Sequence, residues 1–228
     1  GAASAEQHEF HHLARAKDYE NEQTFTFRGS PKILNDGTIY FNGSHFADGE
    51  LTKGIFAFRD GKLKEVVRMR DTKFVGLDDF DVNEDGLVAF VGRSAQGWGI
   101  YTCQGGKIET IAEDKSVYEH LIYPDVNNAG QVSFAARLRG ESRGCQKIYR
   151  SEVKGGLTLI AERGELFAPF HGPTSINDAG VVAFHANLAT GKEGIFIGQG
   201  EVEGDAATPK VTQLYGADDG FVSFRIPT

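Results

Sequence analysis

Cysteine, methionine and tryptophan are nearly absent: two, one and one in 228 residues. Two cysteines are too few for a disulfide-stapled scaffold, and the sequence places them near opposite faces of the expected fold, so two free thiols are expected. There is no excess of positive charge either. The net charge is -8 and the pI near 5.4, and no basic run interrupts the acidic background, which argues against nucleic acid or an anionic membrane as partner. No apolar run approaches the roughly 18 residues that suggest a membrane-spanning helix. Helical periodicity is missing throughout, as are G-x-S-x-G and P-loop patterns and a second CxxC-type pair.

A repeat is what the chain does have. Asn83, Gly86 and Phe90 recur as Asn127, Gly130 and Phe134, and as Asn177, Gly180 and Phe184. A first copy, one residue tighter, is read at Asn35, Gly37 and Phe41. From Gly37 the glycines step by 49, 44 and 50 residues, a period that marks a repeat architecture. Asn and Asp bond the backbone two residues on and Gly accepts positive φ, so each motif is a tight turn into a strand. That strand is near-continuously apolar, as in Gly86-Leu87-Val88-Ala89-Phe90. A variable loop, a second strand (Gly54-Ile55-Phe56, Gly99-Ile100-Tyr101, Lys147-Ile148-Tyr149, Gly194-Ile195-Phe196) and a polar alternating third strand follow. A short aromatic stretch leads to the next turn.

Three to four antiparallel strands per repeat predict an all-β fold, a small β-propeller of four blades closed by terminal strands. Five blades are the alternative. The expectation is a single domain over 1-228, with repeats at about 31-79, 80-123, 124-172 and 173-228 and a closing segment at 5-30.

The motif Asn-x-x-Gly-x-x-Ala-Phe, with its Gly-Ile-Phe and Thr-x-Ile-Ala stretches, resembles the bacterial tandem-repeat proteins described by an NxxGxxAF motif, of the choice-of-anchor type. The resemblance runs from about residue 31 to 228. It weakens in the first repeat, where Tyr40 replaces Ala, and in the third, where Ser133 does. It implies a propeller-like fold and an exported, extracellular or surface setting, and it brings no catalytic residues with it.

Several residue sets are candidate sites. The loops between first and second strands should emerge together on one face of a rigid scaffold, where binding tends to reside. They carry His45, Arg93, Arg137, Arg139, Arg143, Asn187 and Lys192, a basic and polar set on an acidic protein. Trp98 stands where the other repeats have Lys53, Gln146 and Glu193, which suggests an exposed ring able to stack on a sugar or cation. Asp81, Asn83 and Asp85 match the first half of a calcium loop, D-x-N-x-D-G, although Gly92 stands where its closing Glu belongs, so calcium is at most a weak expectation and a plain turn the stronger one. His8-Glu9-Phe10-His11-His12 satisfies H-E-x-x-H formally but falls in a stretch that aligns with strands, which gives the histidines the wrong spacing for zinc. His171 and His185, on adjacent strands, form a further candidate pair.

The leading expectation is a non-enzymatic binding module holding a glycan or another extracellular ligand on its loop face. A hydrolase or lyase with a polar or metal-bearing central channel is the alternative, prompted by His185, Asp81 and Asp125, which break the repeat symmetry. A third class is an assembly protein that oligomerises through blade edges.

Overall fold

The computed structural model describes residues 27–47, 50–141, 143–200 and 211–216. They form sixteen strands in four antiparallel sheets of four, each built from consecutive strands. Blade 1 comprises β1 (Phe27–Ile33), β2 (Ile39–Ala47), β3 (Glu50–Arg59) and β4 (Lys62–Arg68). Blade 2 comprises β5 (Gly76–Val82), β6 (Val88–Ser94), β7 (Gly97–Gln104) and β8 (Lys107–Glu113). Blade 3 comprises β9 (Tyr118–Val126), β10 (Val132–Leu138), β11 (Lys147–Ser151) and β12 (Leu157–Glu162). Blade 4 comprises β13 (Thr174–Ile176), β14 (Val182–Asn187), β15 (Glu193–Gly198) and β16 (Val211–Gly216). The first strands β1, β5, β9 and β13 lie side by side. The sheets are therefore the blades of a propeller-like array with those strands innermost.

The sequence repeat and the sheet are out of phase by one strand. Each repeat opens at the turn that joins a blade's first strand to its second, so its closing aromatic stretch becomes the innermost strand of the next blade. The segment expected to close the ring, 5-30, lies outside the described residues except for its last residues, which enter β1, and so does His8 to His12.

The near-continuous hydrophobicity of the second strands follows from burial on both faces. In β6, Val88 and Phe90 face blade 1, within a cluster that includes Leu34, Ile55, Val67, Phe80 and Tyr101. Ala89 and Val91 face blade 3, with Ile100, Leu121 and Phe134. A third cluster joins blades 3 and 4 through Ile148, Ile160, Phe167, Phe170, Phe184 and Phe196. Each cluster spans two consecutive blades, and among the described residues none joins blade 4 to blade 1. Cys103 and Cys145 are free and buried within these clusters, as the cysteine spacing predicts.

The Asn-x-x-Gly turns stitch the blades as well as bending the chain. Asn83 Oδ1 accepts the N–H groups of Asp85 and Leu87, while its Nδ2 donates to the Asn127 carbonyl of blade 3 at 3.0 Å. Asn127 repeats this, bonding Gln131 N–H and donating to the Asn177 carbonyl at 2.9 Å. The glycines sit at φ of 74 to 84°, the region that favours glycine. One residue on, a second ladder runs along the turns. The Asn35 N–H donates to Glu84, the Glu84 N–H to Asn128 and the Asn128 N–H to Asp178.

These bonds correct the reading of the first repeat. The bond from Gly37 N–H to the Leu34 carbonyl matches the bond from Gly86 N–H to the Asn83 carbonyl. Leu34, not Asn35, therefore holds the motif position, and Asn35 belongs to the second ladder. A leucine is tolerated there because its side chain joins the first hydrophobic cluster and the aspartate two residues on, Asp36, caps the Thr38 N–H instead.

Candidate functional site: the loop face and the inner strands

Turns that repeat one bonding pattern form one end of the array. The opposite end carries the loops and departs from repetition at every junction between blades.

At the junction of blades 2 and 3, Arg93 and Trp98 are cross-strand partners in β6 and β7. The indole stacks on His120 of β9, with ring centroids 5.2 Å apart and an interplanar angle of 25°, and the Arg93 guanidinium lies 5.6 Å from the indole centroid. Trp98 is thus half-buried and already engaged by two neighbours, contrary to the expectation of an open stacking platform. The reason is His120, which sequence reading did not single out. The imidazole's proton affinity is held below the ordinary value, chiefly by burial and then by Arg137 and Arg93, against Glu119 and Asp78.

Arg137 takes the equivalent position at the junction of blades 3 and 4, opposite His120 on the neighbouring strand. Its Nε is buried and makes no hydrogen bond among the described residues. Beside it Gln146, expected to be exposed, is 4% exposed, because its amide bonds the Leu138 N–H and the carbonyls of Arg143 and Gly144. Burial raises the Cys145 thiol to about 11, with Arg137 opposing the shift. Arg139 is drawn aside, donating to the Lys115 carbonyl and pairing with Glu119 at 3.1 Å.

On blade 4, Asn187 has a buried Oδ1 with no partner among the described residues. Lys192 is exposed in the adjoining turn. His185 Nε2 lies 3.8 Å from Glu193, while His171 lies over Gly144, so the two histidines have different neighbours. His45 stands opposite Thr52 near the end of β2. Of the loop-face residues expected from sequence, Arg93, Trp98 and Arg137 are thus gathered around His120; Arg139, Asn187 and Lys192 stand apart.

The junction of blades 1 and 2 carries Ser44 and Lys53 where the next junction has Arg93 and Trp98. It holds a cleft of about 220 Å³ lined by Asn42, Gly43, Ser44, Lys53, Gly54, Met69, Val75, Gly76 and Leu77.

Along the inner strands runs a carboxylate pair. Asp81 accepts the Val126 N–H at 3.1 Å and Lys32 Nζ at 2.9 Å. Asp125, at the equivalent position of blade 3, accepts the Ile176 N–H at 2.7 Å. Burial raises the Asp125 carboxyl to about 7, with a further rise from the hydrogen bond and charge of Asp81 beside it. Nearer the loop face, Asp79 is raised by burial and by Asp78, with Lys32 opposing.

Two of the three side chains proposed for calcium have other partners. Asp81 points to Lys32 and Val126, and Asn83 is spent on its own turn and on blade 3. Among the described residues no three His, Cys, Asp or Glu side chains gather in a metal-binding group, and no helix is long and apolar enough to cross a membrane.

The chain belongs to the family of unknown function DUF7453, whose profile matches residues 4–170. A comparison with curated proteins finds no match. Among solved structures the fold is similar to that of a protein assigned as TolB in Agrobacterium tumefaciens, at 17% identity and a TM-score of 0.52. That match covers 83% of this chain and 65% of the other, so the chain spans just under two thirds of its neighbour's length. A puromycin-hydrolyzing peptidase of Mycobacterium tuberculosis matches at 14% identity and a TM-score of 0.49, covering 75% of this chain and 29% of the peptidase. At 17% identity the likeness to the TolB protein shows the fold alone, in keeping with the four-bladed β-propeller-like array of the sheets.

Proposed function

We propose that the protein is a non-enzymatic binding module that holds a glycan or another extracellular ligand on its loop face. One observation carries this reading: equivalence between blades is kept where the fold needs it and abandoned on one face. The turns repeat the same ladder from blade to blade. At the other end, equivalent positions carry Ser44, Arg93 and Arg137 on the second strands and Lys53, Trp98 and Gln146 on the third. A scaffold that repeats its joints and varies one surface concentrates specificity on that surface. The extracellular setting rests on the resemblance to exported NxxGxxAF repeat proteins.

The test is an array of glycans and matrix proteins probed with the wild type, with Arg93→Ala on the loop face and with Asn128→Ala on the turn face. Binding lost with Arg93→Ala and kept with Asn128→Ala supports the reading. Binding lost equally in both folded variants overturns it.

A hydrolase or lyase reading draws on the Asp81–Asp125 pair, because a carboxyl raised to about 7 can donate a proton near neutrality. Both carboxylates, however, already accept a backbone N–H from the next blade, which is a joint between strands. Turnover of any substrate that disappears in Asp125→Asn would favour the enzyme.

A further inference from the structure

The cleft between blades 1 and 2 can be understood by superimposing one junction on the next. Ser44 and Lys53 are cross-strand partners as Arg93 and Trp98 are. Gly76 pairs with Arg93 as His120 pairs with Arg137, so Gly76 and His120 are equivalent first-strand positions. The guanidinium, indole and imidazole stacked at the junction of blades 2 and 3 are therefore replaced by serine, lysine and glycine at the junction of blades 1 and 2. All three replacements line the cleft. The void is the volume of a ring stack that this junction does not supply.

Its lining specifies what would fill it. Gly43 and Gly76 offer backbone without side chains, so a ring can approach closely, and Met69, Val75 and Leu77 supply apolar contact. Asn42 and Ser44 are 7% and 6% exposed. Asn42 Nδ2 donates to the Asp78 carbonyl at 3.3 Å, while its Oδ1 and the Ser44 hydroxyl, neither of them sealed from solvent, make no bond among the described residues. Polar groups that line a cleft with bonding capacity to spare can orient a ligand there. Lys53 is the one charged residue of the lining. A single ammonium suits a singly charged anion better than a phosphate, which arginine forks and backbone N–H nests favour.

We propose that this cleft binds a monosaccharide-sized ring bearing a carboxylate, of the uronic acid class. Its hydroxyls bond Asn42 Oδ1 and Ser44, and its carboxylate meets Lys53. The proposal rests on the loop face being a binding surface and names the chemistry of one place on it.

The experiment is calorimetric titration of the full chain with D-glucuronate, D-glucose and benzoate, for the wild type, Lys53→Met and Gly76→His. Gly76 lines the cleft and has an ordinary backbone conformation, and an added Cβ meets only Arg93 Cβ at 3.7 Å, so a side chain is accommodated there without displacing the backbone. Far-UV circular dichroism and the urea midpoint confirm folding of both variants. The expected result is glucuronate binding on the order of tenfold tighter than glucose and benzoate, weakened to the level of glucose by Lys53→Met and abolished by Gly76→His. Glucose binding as well as glucuronate, or indifference to Lys53→Met, overturns the carboxylate. Benzoate binding as well as glucuronate overturns the sugar. No binding, or binding indifferent to Gly76→His in a folded variant, overturns the cleft. Array ligands retained by Gly76→His would leave the binding-module reading standing while the cleft falls. Glucuronate binding without any array ligand would do the reverse.

Discussion

Replacing Asp125 by asparagine should change how stability depends on pH. In the folded chain the Asp125 carboxyl is raised from 3.8 to about 7, by burial first and by Asp81 second. The folded state therefore holds this proton more tightly than the unfolded chain does. Its contribution to stability is fully present below about pH 4 and is lost as pH rises to about 7. At 1.36 kcal/mol for each tenfold change in proton affinity, the loss across that window is about 4 kcal/mol. An asparagine keeps both bonds of the protonated acid, its oxygen accepting the Ile176 N–H and its amide donating to Asp81. The variant should exceed the wild type by about 1 kcal/mol at pH 4.5 and by up to about 4 kcal/mol at pH 8. Urea unfolding followed by circular dichroism at pH 4.5, 6, 7 and 8 measures the difference directly. Groups elsewhere, such as Asp36, Asp114 and Glu152, are held below their ordinary range and lose stability as pH falls, but they cancel in the difference between the two proteins. A difference that stays flat from pH 4.5 to 8 would refute the raised Asp125 carboxyl.

Two further outcomes follow from the joints of the fold. Asn127→Ala removes a buried side chain that caps its own turn and crosses to blade 4, and should cost about 2–3 kcal/mol of unfolding free energy. Asn177→Ala, at the exposed equivalent in blade 4, loses only the caps on Ala179 and Val181, and should cost about 1 kcal/mol. Equal costs in denaturant titrations would contradict the ladder. Gly54→Ala places a Cβ 2.1 Å from the Val67 carbonyl oxygen of the neighbouring strand, and a shift in the urea midpoint equivalent to about 3 kcal/mol or more is expected because backbone must move.

How far the sequence reveals this molecule depends on how local the physics is. The turns were legible because an Asn side chain bonding N–H groups two and four residues on is a short-range device, and the glycine that follows must adopt positive φ. The four-bladed array follows from their spacing. The Leu34 position was hidden: Asn35 lies one residue away, and its short spacing to Gly37 was the sole sign that the motif residue had been replaced. Trp98 was misjudged because exposure was inferred from Lys53, Gln146 and Glu193, whereas its cover comes from His120 on the next blade. Asp81 and Asp125 stood out as residues that break the repeat, yet their contact depends on two inner strands lying side by side, 44 residues apart in sequence. The cleft is the least legible feature, since it consists of what Ser44, Lys53 and Gly76 do not fill.

The most direct measurement is amide chemical-shift mapping on the isotopically labelled chain, titrated with the strongest ligand from the glycan array. The predicted shifts fall on the loop face, around Asn42 to Ser44, Lys53 and Gly54, Met69 to Leu77, Arg93 to Trp98 and Arg137, with the turns at Leu34, Asn83, Asn127 and Asn177 unmoved. Shifts centred on Asp81 and Asp125 or on those turns, or an array with no ligand at all, would contradict a loop-face binding module.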